Sequence, residues 1–220
     1  MKALLLNLTM HSLSGLVYFI SAGAMTSEGI TAYSIILSIV ITAYILVFIW
    51  NRELIDARGR NHPSTKSWDK KLLGLIFIFY MIILPSVSGL DSRLNWSETP
   101  SYFQLTGILL YLAASLLIIS SMVVNRHFEA TSAIQDDRDH RVVRNGPYRF
   151  IRHPGYLGMS LANIAYPMMI MSIAGFIPAG MMIIIIAVRT YLEDNMLYNE
   201  LPGYKSYSAV TRYRMLPFIW

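Results

Sequence analysis

Arg144-Asn145-Gly146-Pro147-Tyr148-Arg149-Phe150-Ile151-Arg152-His153-Pro154-Gly155-Tyr156-Leu157-Gly158 is the stretch around which the chain is organised, because charge, aromatic rings and helix-breaking residues crowd together there just before a long apolar run. Asn-Gly-Pro is turn chemistry, since Gly accepts a positive φ and Pro fixes its own. Pro154 biases His153 away from helical geometry, so a helix is expected to begin at Pro154, where a missing N–H costs nothing. The unpaired N–H groups of that first turn form a small positive pole suited to an anionic group. The plainer reading is a basic loop lying on a lipid surface.

Working outward, 55% of the 220 residues are hydrophobic and mean hydropathy is +0.46, more apolar side chain than a soluble domain of this size hides. The expectation is an all-α, polytopic membrane helix bundle of five or six transmembrane segments, with a C-terminal helical hairpin and a cytosolic pocket. The formal charge of +5 does not point to nucleic acid, because the cations lie between apolar runs rather than along one polar face. Without cysteine there is no disulfide, thiolate nucleophile or cysteine metal site. No metal site is expected. The 13 methionines read as packing residues.

The expected spans are Ala3 to Met25, Ile30 to Trp50, Leu72 to Leu90 with a kink at Pro85, and Tyr102 to Val124. The first is too long for a signal-peptide core, although Ala22-Gly23-Ala24 resembles a cleavage site. His11 within it reads as a hydrogen-bonded intramembrane histidine rather than a ligand. A short loop is expected from Asp91 to Pro100. Leu157 to Ser172 and Phe176 to Val188 form two further limbs, either full spans or a re-entrant hairpin, and their return brings His153 and Glu193 to one side of the bilayer. The chain divides into an N-terminal part, residues 1–124, and a catalytic region, residues 125–220. With the N-terminus inside, seventeen of the 18 Lys and Arg fall on inner segments, among them Arg58 and Arg60, and only Arg93 lies outside. Both termini are therefore expected in the cytosol.

Arg189-Thr190-Tyr191-Leu192-Glu193-Asp194 closes the last apolar run, and a spacing of four puts Arg189 and Glu193 on one helix face. The simple reading is an interfacial ion pair between them. Against it, an arginine at the hydrocarbon edge is costly unless paired or lining a polar cavity. Glu200-Leu201-Pro202-Gly203 reads as a helix stop and turn, and Tyr213 to Trp220 as a tail lying along the interface with its aromatics at headgroup depth.

Gly146-Pro147-Tyr148-Arg149, then Arg152-His153-Pro154-Gly155-Tyr156, an apolar hairpin, Arg189 with Glu193-Asp194, and Gly203-Tyr204 with a distal Tyr207 together resemble the isoprenylcysteine carboxyl methyltransferase and phospholipid methyltransferase superfamily. The likeness covers roughly residues 125–220. It implies an S-adenosylmethionine-dependent membrane enzyme, with the cofactor in a cytosol-facing pocket and a lipophilic or prenylated acceptor entering from the bilayer. Position by position it implies cofactor contacts from His140, Arg141, Val142 and Val143, from Tyr148, His153, Pro154, Gly155 and Tyr156, and from the acids Glu193 and Asp194. Gln135 corresponds to an upstream cofactor-contacting Gln, at a shorter spacing to His140 than in the eukaryotic enzymes. Arg189 corresponds to the arginine assigned to the acceptor, and with Glu193 makes up the catalytic pair. Asp194 departs from the second Glu frequent in the family, and Leu201-Pro202-Gly203 from its Phe-Gly.

Methyl transfer from a sulfonium needs mainly alignment and exclusion of water. A carboxylate acceptor would be oriented by Arg189 and need no base. An ethanolamine lipid would need to lose a proton, to Glu193 or Asp194. Membrane reductases of sterol-type double bonds share the Arg-His-Pro-x-Tyr element and a tail like Tyr213-Arg214-Met215-Leu216-Pro217, but carry Asn where this chain has Gly155.

Overall fold

A computed structural model of the chain describes residues 2–57 and 65–220; Arg58 and Arg60, part of the expected inner charge, lie outside the described residues. Every regular element among them is helical. Five segments are long and apolar enough to cross a membrane: Leu4–Ala22, Ser27–Trp50, Ser67–Leu94, Tyr102–Val124 and Phe176–Glu200. Their flanks present apolar side chains outward, Ile49, Leu116 and Ile184 each being about two-thirds exposed (66%, 67% and 65%). Such a belt is stable only against lipid, and the protein is a multi-pass membrane protein.

Helix α1 (Lys2–Ala22) is shorter than expected, because Gly23 at φ 70 turns the chain. The Thr26 side chain accepts from the Gly29 N–H and caps α2 (Ser27–Trp50), which is followed by the short α3 (Arg52–Ala57). The third span is longer than expected at both ends and is built of α4 (Ser67–Ile78), a π-turn (Phe79–Ile83) and α5 (Leu84–Leu94). Pro85 has no N–H to donate and its ring crowds the preceding carbonyls, and the chain answers by widening the turn before it, Leu84 donating five residues back to Phe79. The expected loop at Asp91 is therefore still helix, which ends on Asn95 in the left-handed region (φ 51).

Helix α6 (Tyr102–Val124) has the expected bounds, and α7 (Pro154–Met169) begins at the expected proline. α7 packs closely along α6 because small residues line the seam. A Cβ on Gly107 would stand 2.6 Å from the Met169 backbone nitrogen, and one on Gly158 2.9 Å from the Ala114 carbonyl oxygen. α8 runs Phe176–Glu200 and α9 Tyr204–Val210, joined through Gly203 at φ 83.

At one end of the bundle the buried Asp91 carboxylate accepts from Ser97 Oγ, Ser172 Oγ and the Ala174 N–H, tying the α5–α6 turn to the α7–α8 turn. α7, about 24 Å long, thus connects the two ends of the bundle beside α6, and it is not one of the five segments long and apolar enough to cross a membrane. The opposite, polar end gathers residues 51–57, 65–69, 125–153 and 189–220.

Candidate functional site

The loop between α6 and α7 lacks regular structure for most of its length, so its shape depends on side chains. Arg138 donates to Glu129, to Gln135 Oε1, to Glu53 on α3 and to the Arg126 carbonyl. Gln135, 2% exposed, returns a bond to the His127 carbonyl, and its oxygen faces His127 Nδ1 at 3.1 Å. His127 Nε2 accepts from Arg126, which makes the ring the neutral Nδ1–H tautomer. His140 stacks on it at 4.3 Å between ring centroids. Burial, then the charges of Arg138 and Arg126, lower the His140 pKa to about 3, and burial likewise lowers that of His127.

Further on, Gly146 at φ 56 opens a 3-10 turn (Gly146–Arg149) that buries Tyr148. Asn125 donates to the Tyr148 hydroxyl, and the Tyr207 hydroxyl donates to its carbonyl. Burial raises the pKa values of both tyrosines, that of Tyr207 to about 12, so both remain donors at neutral pH.

Two acids one position apart on α8 face different surroundings. Asp194 receives a two-pronged contact from Arg152 (2.8 and 2.9 Å), and further bonds from His153 Nε2 (3.0 Å), the Tyr204 hydroxyl (2.7 Å) and Arg214 Nε (2.8 Å). Arg152 also holds the Thr211 and Arg212 carbonyls, while the backbone N–H groups of Arg152 and His153 donate to the Tyr213 and Arg214 carbonyls. The tail is thereby strapped to the start of α7. Its Met215 is buried, so the segment is partly packed inward, while Phe218 and Ile219 stay exposed.

Glu193 turns the other way. The Tyr156 hydroxyl donates to its Oε2 (2.6 Å), and the Ser132 hydroxyl lies 2.5 Å from the same oxygen and 3.0 Å from Asp69 Oδ1. One hydroxyl proton therefore serves two carboxylates. Arg189 does not pair with Glu193 as its spacing suggested. Its Nε donates to the fully buried Asp69 (2.7 Å), one Nη to the Ala130 carbonyl, and its guanidinium stands 5.2 Å from the Tyr156 ring centre.

Most of these groups border one cavity of about 510 Å³. Gln135, His140, Arg141, Val142, Val143, Tyr148, His153, Gly155, Tyr156, Arg189 and Glu193 line it. Pro154 and Asp194 do not, the first being the buried helix start and the second enclosed by its cations. Above Arg189 the walls are polar. Below, they are Ile36, Val40, Ile118, Met182 and Ile186 of the spans.

Asp69 and Ser132 are site residues that no sequence motif marks. Asp69 reads in sequence as one charge in a cation-rich loop, and its only signal is its place just before an apolar run. Ser132 has none. Arg152 and Tyr204 belong to the motifs but gain their roles only through Asp194.

No group of three or more His, Cys, Asp or Glu is placed to hold a metal among the described residues. No curated protein matches the chain. Residues 105–199, which run from within α6 through the polar loop, α7 and almost all of α8, match the isoprenylcysteine carboxyl methyltransferase (ICMT) family, and that stretch, which holds Glu193, Arg189 and the Arg-His-Pro-Gly-Tyr element, is similar to this family of methyltransferases.

Proposed function

We propose that the protein transfers a methyl group from S-adenosylmethionine to the carboxylate of a lipophilic acceptor in the membrane, a prenylcysteine-like group being the acceptor of choice. The observation that carries this reading is the placement of Glu193 and Arg189, one helical turn apart, where the polar and apolar parts of a single cavity join.

The residues present fit the cofactor. Asp69 and Glu193 against Arg189 leave this part of the site one negative charge in excess, a balance suited to a cationic sulfonium. Among the described residues Glu193 Oε1 has no hydrogen-bond partner, leaving it to accept from cofactor hydroxyl or ammonium groups. The ring of Tyr148 offers a face for an adenine or for positive charge. The first intrahelical bond of α7 runs from Leu157 to His153, so the N–H groups of Gly155 and Tyr156 precede it and suit a carboxylate.

When bound, S-adenosylmethionine supplies an electrophilic methyl group that a carboxylate attacks without prior loss of a proton. Glu193 and Tyr156 fix the donor side. Arg189, held by Asp69 and Ala130, directs its charge to the acceptor carboxylate, and the strapped tail with Tyr204 and Tyr207 keeps water from the space between. Residues 125–220 act as the catalytic region, and the N-terminal spans contribute Asp69 and the apolar walls. The polar end faces the cytosol, carrying both termini.

An ethanolamine lipid is the second reading. Of the two acids considered as its base, Asp194 is spent on four partners, leaving Glu193. The reductase reading is disfavoured, since a side chain at position 155 would have to displace the Phe128 ring, 2.4 Å from the place of its Cβ.

Calorimetric titration of the purified protein with S-adenosylmethionine and, separately, NADPH tests the reading, followed by transfer of labelled methyl to a prenylcysteine and to phosphatidylethanolamine. Binding of S-adenosylmethionine and labelling of the prenylcysteine are expected. Binding of NADPH alone, or of neither, overturns the proposal, and labelling of phosphatidylethanolamine alone transfers it to the second reading.

A further inference from the structure

The apolar part of the cavity is not apolar throughout. From Glu193 the lining runs down α8 to Met182, about 16 Å at 1.5 Å per residue. Tyr80 and Tyr111 line the same cavity and pack against the buried cluster that includes Met182. His11 lines the same chamber, its ring edge-on to Tyr80 at 5.5 Å between centroids. The three come from the middles of α1, the third span and α6, far from either end of the bundle.

These polar groups are not consumed by the fold. Among the described residues the hydroxyls of Tyr80 and Tyr111 have no hydrogen-bond partner, in contrast to Tyr33 and Tyr166, which bond each other at 2.5 Å. His11 Nδ1 lies 2.7 Å from the Asn7 carbonyl oxygen, which only accepts, so Nδ1 carries the proton and Nε2 of the neutral ring offers a lone pair. Tyr80 sits within the π-turn that Pro85 imposes, a local departure of the kind that re-aims a side chain at functional sites. A wholly hydrocarbon occupant would leave two donors and an acceptor desolvated without partners.

We propose that His11, Tyr80 and Tyr111 form a second recognition site for the acceptor, which takes a hydroxyl carried on its lipid chain about 16 Å from the methylated end. A hydroxyl matches because it donates to His11 Nε2 and accepts from a tyrosine. The proposal rests on the reading of this chamber as the acceptor site and adds to it the class of acceptor, a hydroxylated lipid carboxylate.

The test uses the full chain in detergent micelles and two prenylcysteine-type lipids identical but for one mid-chain hydroxyl. Each is measured by displacement of a fluorescent fatty acid and by methyl transfer. The hydroxylated lipid is expected to displace the probe at about tenfold lower concentration, the effect of roughly one satisfied hydrogen bond, and to show a correspondingly lower KM. Tyr80→Phe and Tyr111→Phe, which keep the rings, are expected to erase the difference while leaving S-adenosylmethionine affinity unchanged. Equal displacement by both lipids, or a preference that survives both substitutions, overturns the second site. The displacement arm needs no methyl transfer, so loss of transfer to both lipids counts against the carboxylate reading alone.

Discussion

Asp69 at the start of α4 and Arg189 in the middle of α8 are joined by a 2.7 Å bond across 120 positions. Removing one member of such a pair leaves a buried charge uncompensated, at a cost of about 3–5 kcal/mol. Asp69→Asn is therefore expected to lower the melting temperature in detergent markedly and to raise the acceptor KM. Adding Arg189→Met, which removes the orphaned charge, should restore part of the stability and none of the transfer. An Asp69→Asn protein as stable and active as the native one would contradict the pairing.

Glu193→Gln keeps the shape of the side chain but removes its charge. With hydrogen bonds to a charged group contributing about 1.5–3 kcal/mol, affinity for S-adenosylmethionine should fall at least about tenfold. Arg189→Lys should leave that affinity near its native value and impair acceptor use, because an ammonium lacks the planar fork. Equal loss of cofactor affinity in both variants would refute the division of roles.

Asp194 gathers Arg152, His153, Tyr204 and Arg214, so its work is structural. Asp194→Asn should release the tail. Limited proteolysis would then cut after Arg212 or Arg214 faster than in the native protein, and cofactor affinity would drop as a secondary effect. Unchanged cleavage with lost cofactor binding would instead point to direct contact with the cofactor.

His140 gives the fold an acid limb. Its folded pKa, near 3, lies below the unfolded value of 6.5, so between these values the unfolded chain holds the extra proton. The contribution is whole above pH 6.5 and is lost as pH falls toward 3, at no more than about 1.4 kcal/mol per unit and less where solvent screens the ring. The melting temperature should fall from pH 7.5 to pH 5, more steeply in the native protein than in His140→Gln. Parallel profiles for the two proteins would rule out this histidine as a source.

Gly107 lets α6 and α7 touch, with backbone atoms of Met168 and Met169 within 2.9 Å of where a Cβ would stand. Gly107→Val should force the helices apart, costing about 1–3 kcal/mol and disturbing Tyr156 on the far part of α7. Measured stability equal to the native protein would show that the seam yields freely.

Much of the architecture is legible in the chain because it is local. The bounds of α6, the start of α7 at Pro154 and the end of α8 at Glu200 follow from apolar length, proline and glycine placement, each a property of neighbouring residues. The third span is longer than hydropathy predicts because Asp69 and Asp91 look like loop residues until their burial is known. Arg189 and Glu193 were legible as a pair on one face, yet their partners were not, since periodicity says which way a side chain points and nothing about what meets it.

The sequence alone therefore determined that this is a helical membrane protein with a polar motif on each side of a hairpin, for hydropathy and turn chemistry act along the chain. Only the tertiary structure decided that Asp194 pins the tail while Glu193 faces the cavity, and that Asp69 and Ser132 complete the site. Burying a charge demands a partner at about 3 Å, and packing between helices far apart in sequence selects which one arrives.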